Sequence, residues 1–453
     1  MGASMGNRDR GLYAPPSRSP ARMVPFPSSE PAMNAPHSPF PLDRPIDAAA
    51  ARVEAKVVAW RRDFHENPEL GNREVRTAKI VADHLRALGF DEVKEKVAYT
   101  GVVGILKGGK PGRVVALRAD MDALPVKEEV DVPFKSKATA EYDGQACGVM
   151  HACGHDAHTA MLMGVAEVLA SMRASIPGTV KFIFQPAEET PPIGENGGAK
   201  MMIEEGCMEN PKVGAIFGLH ISSIYPTGAI GYRSGPMMAS ADDFKVFVRG
   251  NQTHAAMPWR GVDPIVVTSQ IVLGLQTIVS RQMNINKAPS VVTVGVIRGG
   301  VRHNIIPDEV RLEGTIRAFD EEQRNELHTH VTRISEMIAA AGGARANVHI
   351  HRWYDVTVND PALTEWSIPT LARFAGDGKV NVVDRICGSE DFSFYQKVVP
   401  GFFYFMGCTP PDKDANTAAP NHSPRFYVDE DCLPLGVKTL SALALDWLHA
   451  NSG

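Results

Sequence analysis

Cysteine is scarce in this chain. Six thiols, at positions 147, 153, 207, 387, 408 and 432 of 453 residues, show no short paired spacing, which excludes a disulfide scaffold and predicts a reducing, cytoplasmic setting. No apolar run approaches the ~20 residues of a membrane span, so no membrane partner is expected. Charge of one sign is also lacking: the formal net charge is -5, with Lys and Arg scattered. That leaves no basic stripe to track phosphates and argues against a nucleic-acid partner. Hydrophobic residues at 44% and charged residues at 22% are instead the balance of a globular chain with a large core. No internal repeat is visible.

Residues 1–47 are rich in Pro, Ser, Ala and Arg, with Pro15, Pro16, Pro20, Pro25 and Pro27 among them. Such a stretch buries too little apolar surface to offset chain ordering, and it has no continuous apolar core of a secretory signal. It reads as a disordered N-terminal tail. The rest is too long for one ordinary core. Helical spacing marks 48–62 and 74–88, and apolar runs at 102–106 and 114–117 read as strands, the second delivering Asp120 at its carboxyl end, a mouth position in an α/β sheet. The polar segment 151–158 reads as a loop pinned to a helix over 159–169. Strands at 180–184 and 215–219 then end at Glu188-Glu189 and at His220. From 236 to 350 the order becomes β-α-β-β-α-β, with strands near 244–248, 291–297, 310–316 and 346–351 and helices at 263–278 and 321–338. This is the ferredoxin-like unit, inserted between catalytic parts at 48–235 and 351–453. The last part contributes a helix over 363–374, a strand over 402–405 and a terminal helix from about Leu433.

Ligand-type side chains gather at these element ends. In His151-Ala152-Cys153-Gly154-His155-Asp156-Ala157-His158, Cys153 offers a thiolate and His155 an imidazole from a loop that Gly154 allows to turn. Taken singly, a cysteine is often a small buried hydrophobe and a histidine can cap the next helix. Glu188 and Glu189 follow Pro186, where a turn can direct one carboxylate to a metal and leave the other free above it; a solvated acidic loop is the plainer alternative. His220 ends an apolar strand, and a satisfied core histidine is the competing explanation. His422 lies in a turn-like stretch and says little alone. Jointly the set has a chemical logic. Two divalent ions about 3.5–4 Å apart need anionic or imidazole ligands and activate water for attack on a carbonyl. Cys153, His155, Glu189, His220 and His422 fill such a site, and Glu188 is left to take the proton as general base.

The order and number of nine short motifs then identify a family resemblance. They are Phe64-His65-Glu66-Asn67-Pro68-Glu69-Leu70, Leu117-Arg118-Ala119-Asp120-Met121-Asp122-Ala123-Leu124-Pro125, the segment 153–158, Gln185 to Glu189, Gly218-Leu219-His220, His254-Ala255-Ala256, Asn304-Ile305-Ile306-Pro307-Asp308, Gly388-Ser389-Glu390-Asp391-Phe392 and Asn421-His422-Ser423-Pro424. From about residue 50 onward the chain resembles the M20 metallopeptidase superfamily, in particular its amidohydrolases acting on hippurate, indole-acetyl-amino acids and N-acyl amino acids. The resemblance implies an α/β catalytic domain with a mixed central sheet flanked by helices, interrupted by a ferredoxin-like α+β dimerisation or lid domain. It implies the same five metal ligands and the same base. It adds His254 and Asn304 as donors to the carbonyl oxygen or substrate carboxylate, His254 often reaching the neighbouring subunit's site; a donor fixed in advance stabilises the charge that attack builds. Without the family, His254 reads as a surface histidine and Asn304 as a turn residue. Asp120, Asp156 and His158 are placed behind the ligands to orient them, Asp156 alternatively capping the following helix.

These expectations describe a metal-dependent amidohydrolase with two divalent ions per subunit, Mn²⁺ or Zn²⁺ with Co²⁺ also suitable. It would release a carboxylic acid and an amino acid from a small N-acyl amino acid or short peptide, and act as a homodimer. Arg118, Arg302 and Arg385 are candidate cations for the substrate carboxylate. Phe402, Phe403, Tyr404 and Phe405 are expected to alternate between core and surface rather than form an aryl cage. An M20-type dipeptidase or aminopeptidase, and a binding protein that has lost turnover, are the alternatives. One departure from relatives stands out: the paired acids are followed by Thr190-Pro191-Pro192-Ile193-Gly194-Glu195-Asn196-Gly197-Gly198, a longer passage that bears on the acyl pocket.

Overall fold

The structure is a computed structural model that describes residues 42–452; the expected tail lies outside the described residues up to residue 41. The tail boundary at 47 is corrected, because helix Asp43–Glu66 already begins at Asp43. Ile46 is fully buried in the main core, and Asp43 pairs with Arg373 at 3.1 Å, so burial and charge hold this first turn in the fold. Pro45 is tolerated there since first-turn amides need no helical acceptor.

Eight strands make the large sheet, in the spatial order Glu92–Val97, Gly101–Lys107, Pro177–Gln185, Lys110–Asp120, Ala215–Pro226, Gly401–Thr409, Ile230–Tyr232 and Val380–Val382. The four at the centre run parallel, from Pro177–Gln185 to Gly401–Thr409, while antiparallel pairings flank them. Parallel strands of this kind are covered on both faces and therefore read as unbroken apolar runs. Gly401–Thr409 shows it: every residue is buried. Phe402 and Tyr404 pack with Val57, Leu162 and Leu443 of three covering helices, and Phe403 and Phe405 pack on the other face with Met202 and Tyr395. The expected alternation of core and surface at 402–405 is thus corrected to two buried faces.

A smaller four-stranded antiparallel sheet, ordered Ser290–Gly299, Glu309–Ala318, Ala241–Arg249, Arg345–Tyr354, carries helices Pro264–Thr277 and Glu321–Ala341. Connection order and strand order together are those of the β-α-β-β-α-β unit. Its own core includes Phe244, Val246, Ile271, Leu312 and Val331. The last strand continues to Tyr354, beyond the expected boundary at 350. Chain entry and exit lie side by side, because Gly235–Met238 pairs antiparallel with Thr357–Asn359. No helix among the described residues is long and apolar enough to cross a membrane.

Candidate metal centre

Helix His155–Ser171 starts earlier than the sequence pattern suggests, so His155 and His158 sit on its first turn rather than in a loop. Nearly every side chain of the helix is buried, and apolar periodicity cannot reveal an end whose polar residues are as buried as the rest. Gly154 precedes it at φ 94°, and a Cβ there would lie 2.3 Å from Ile221 Cδ1, so backbone and space both require glycine. The strand bearing His220 also outruns expectation. It continues to Pro226 beside Gly401–Thr409, with Phe405 as the register partner of His220.

Cys153, His155 and His220 each place one ligand atom within 4.8 Å of the others; Cys153, Glu189 and His422 do the same, as do His155, Glu188 and Glu189. These overlapping triads join all five expected ligands and the expected base. Cys153 Sγ lies 3.2 Å from His220 Nε2, and Glu189 Oε1 lies 2.9 Å from His422 Nε2. The Nδ1–H of His220 donates to Ile221 O at 2.6 Å, which leaves its Nε2 with a lone pair for a cation. His155 Nε2 is buried with no hydrogen-bond partner, its nearest carboxylate oxygens 3.8 Å away on Asp120 and 4.0 Å on Glu189. His422 differs in being 55% exposed at the cavity mouth. It adopts φ 71°, and its backbone N–H donates to Ala152 O at 2.7 Å.

The electrostatics are those of a cation pocket. Burial opposes charge on His155, yet Asp120 and Asp122 outweigh it and push the ring up to about 10. Burial and the neighbouring His158 hold His220 well below the usual range, as a neutral ligand. Burial, reinforced by Glu189 and Glu188, drives the Cys153 thiol well up, so its thiolate form calls for positive charge alongside. Burial and the carboxylates of Glu390, Glu189 and Asp391 hold Glu188 well above an ordinary glutamate. An orphaned imidazole nitrogen, a thiol, two further imidazoles and a carboxylate are a donor set that fits divalent metal.

The supporting residues divide differently from expectation. His158 is spent: its Nδ1–H donates to Asp120 Oδ1 at 2.6 Å and its Nε2 accepts Ile221 N–H at 2.8 Å. Asp120 thereby steadies the strand next to His220 rather than a ligand directly. Asp156 does not face a ligand and makes no helix-capping bond; its carboxylate binds His65 Nδ1 at 2.8 Å and Arg61 Nε at 3.0 Å. The residue behind the ligands is Asp122. It accepts from His155 Nδ1 at 3.2 Å and from the backbone N–H groups of Glu188 and Glu189 at 3.0 and 2.9 Å. Ala187 and Thr190 bracket those acids at φ 50° and 78°, the turn that aims both carboxyls inward. The Asp-x-Asp spacing of Asp120 and Asp122 was the available signal.

A cavity of about 590 Å³ opens on this centre, lined by Cys153, Glu188, Glu189, His220 and His422 with Ile224, Met238, Trp353, Ile386 and Phe405. Its arginine is Arg317, a cation that sequence reasoning missed. Arg118 is corrected as a substrate cation: fully buried, it holds Asp120 at 2.6 Å, Asp391 at 2.9 Å and Glu390 at 3.0 Å. Arg302 is exposed and Arg385 stacks over Phe319, neither among the lining residues. His254 lies on the ladder Thr253–His254 with Ile305–Ile306 and Asn304 immediately precedes Ile305, where Ala255 N–H donates to Asn304 O at 3.0 Å. They do not line this cavity.

Fold and site define a metal-dependent α/β hydrolase. Comparison with known proteins supplies the family: the profile of peptidase family M20/M25/M40 matches residues 116–446. The chain belongs to that family and is a metal-dependent hydrolase of it. It is 42% identical over 395 residues to thermostable carboxypeptidase 2 of Saccharolobus solfataricus, covering 87% of this chain and 95% of that protein. It is 40% identical to the Arabidopsis thaliana IAA-amino acid hydrolase ILR1-like 4, over 86% of each. Among solved structures it resembles the Bacillus subtilis YXEP protein, a dinuclear metal binding peptidase from M20 family. The TM-score is 0.74 and identity 35%, covering 88% of this chain and 99% of the other.

Proposed function

We propose that the protein hydrolyses the amide bond of N-acyl amino acids, giving a carboxylic acid and a free amino acid. The observation that carries this reading is the cavity in which four of the five expected ligand side chains, Cys153, Glu189, His220 and His422, face a largely apolar space together with the buried carboxyl of Glu188 and one arginine. Cys153, His155, Glu189, His220 and His422 would hold two divalent ions, which when bound would supply an activated water and polarise the amide carbonyl. Glu188 takes the proton from the attacking water and passes it to the departing nitrogen. Its burial suits both halves of that transfer, since a carboxyl held above its ordinary range gains and releases a proton more evenly. Arg317 offers the amino acid's carboxylate a charge, and Ile224, Met238, Trp353 and Phe405 exclude water around it. The IAA-amino acid hydrolase among its relatives supports an acyl-amino-acid substrate.

His254 and Asn304 complete the site from a second copy of the chain, in a homodimer. Ser290–Gly299 is an open edge of the small sheet with Ile297 exposed, a surface suited to two-fold pairing. The test is a panel of aromatic, aliphatic and indolyl acyl amino acids assayed with Mn²⁺, Zn²⁺ and Co²⁺. Turnover of acyl amino acids, lost when the carboxylate is amidated, is expected. Turnover confined to peptides with a free amino terminus would select a dipeptidase or aminopeptidase instead.

A further inference from the structure

A second cavity, of about 400 Å³, shares Glu189 and Thr190 with the first and is also lined by Asp122, the residue that fixes the amides of both acids. Its size is within the range of small-molecule sites. An amide bound beside Glu189 has two substituents to accommodate, and Glu189 and Thr190 line two cavities. Their chemistry differs. Leu70, Leu124, Pro125, Tyr142, Pro192 and Ile193 give the second cavity an apolar wall. Among the described residues that line it, the cation Arg73 is taken up by Glu195 at 2.6 Å, while Glu141 and Asp143 stand at it exposed. A carboxylate-bearing group is repelled from such a rim; an uncharged chain is not.

Ile193 is the unusual element. It is 77% exposed, an apolar side chain left open at a cavity edge, in the long passage after the paired acids. That passage is pinned: Glu195 is bound by Arg73 and by Asn72 Nδ2 at 3.0 Å, and Asn72 Nδ2 also donates to Asn196 O at 2.9 Å. The pins fix the passage that carries Ile193, and Ile193 lines the cavity together with Tyr142 of strand Thr139–Tyr142.

We infer that this cavity receives the acyl chain of the substrate, an uncharged aliphatic or aromatic group longer than acetyl, and that Ile193 and Tyr142 set the preference for its length. The inference rests on the proposed amidohydrolase reading and adds to it which half of the substrate lies where. The experiment compares kcat/KM for the N-acetyl and N-octanoyl forms of one amino acid, in the wild type and in Ile193→Asp and Tyr142→Ala. Neither side chain belongs to the catalytic machinery, and both are exposed enough for the variants to fold. The N-octanoyl value is expected to fall roughly tenfold or more, with the N-acetyl value held within about twofold. Equal losses for both substrates, or no loss for either, overturn the inference.

Calorimetric titration of octanoate into the metal-loaded protein separates this from the functional reading. If the wild type hydrolyses no acyl amino acid, the reading of function fails. Octanoate affinity that drops roughly tenfold in Tyr142→Ala, a variant that adds no charge, still supports the cavity's role, and affinity unchanged in that variant refutes it.

Discussion

At the scale of single residues, the centre is organised by side chains that are not themselves ligands. Asp122 is almost fully buried and bonds three groups at once, the His155 ring and the two amides that aim Glu188 and Glu189. Asp122→Asn keeps the shape but turns one acceptor oxygen into a donor facing an N–H. Partners behind metal ligands commonly matter about 10–100-fold in affinity or activity, so metal affinity measured by competition with a chelator should fall by about that factor while the thermal unfolding of the metal-free protein changes little. An unchanged affinity would remove Asp122 from this role. Glu188→Gln makes the complementary case: metal content stays, and kcat falls by about 10²–10⁴ or more. Full turnover in that variant would exclude Glu188 as the base.

At the scale of elements, legibility in the sequence followed the kind of signal each element carries. The small domain was readable nearly strand by strand, because its sheet is covered on one face and Phe244, Val246 and Val248 keep a clean period of two. The central parallel strands were found but cut short: buried on both faces, they show no alternation to mark where His220 stops being the end. Cys153, His155, Glu189 and His220 were legible as candidate ligands because each is a ligand-type group near an apolar run, whereas His422, in a turn-like stretch, was legible only jointly with them. Arg317 was not legible, as neither spacing nor polarity separates it from structural partners such as Arg118, and Asp122 was marked only by its Asp-x-Asp spacing with Asp120. The strand Ala241–Arg249 and helix Glu321–Ala341 are clamped by a buried ion pair, Asp242 with Arg324 at 2.5 Å, joined by His328 at 2.7 Å. Burial alone would raise the Asp242 carboxyl, but the bonds from Arg324 and His328 bring it below the ordinary value. A depressed carboxyl contributes stability above its unfolded value of about 3.9 and loses it as pH falls through the folded value. Melting temperature should therefore drop as pH is lowered beneath about 4. Asp242→Asn, which leaves Arg324 with Glu321 and Asp355 as its carboxylate partners, should cost about 1–3 kcal/mol at neutral pH and flatten that acid limb. Parallel melting curves for the two proteins from pH 3 to 7 check both statements.

At the scale of the whole molecule, the two sheets have separate cores but a common site. Tyr354, at the end of the small domain's edge strand, donates to the backbone carbonyl of Glu188 at 2.5 Å, and Trp353 and Arg317 of the same domain line the cavity over the ligands. The large sheet's side carries the candidate ligands, and the small domain supplies part of the cavity wall beside them. His254 and Asn304 stay outside this cavity within one chain, so the proposed assembly has a direct consequence. Mixing the inactive Glu188→Gln and His254→Ala proteins under subunit exchange should restore activity, because one site of each mixed dimer then has both groups intact. No recovery despite proven exchange would place His254 outside the partner's site.

The central claim is that remote parts of one chain converge on two cations. Anomalous diffraction from crystals grown with Mn²⁺ or Zn²⁺ tests it most directly. The account predicts two peaks about 3.5–4 Å apart, both within bonding distance of the set Cys153, His155, Glu189, His220 and His422, with Glu188 close but unbound. A single peak, or metal bound instead by Glu188, Glu390 and Asp391, would contradict it.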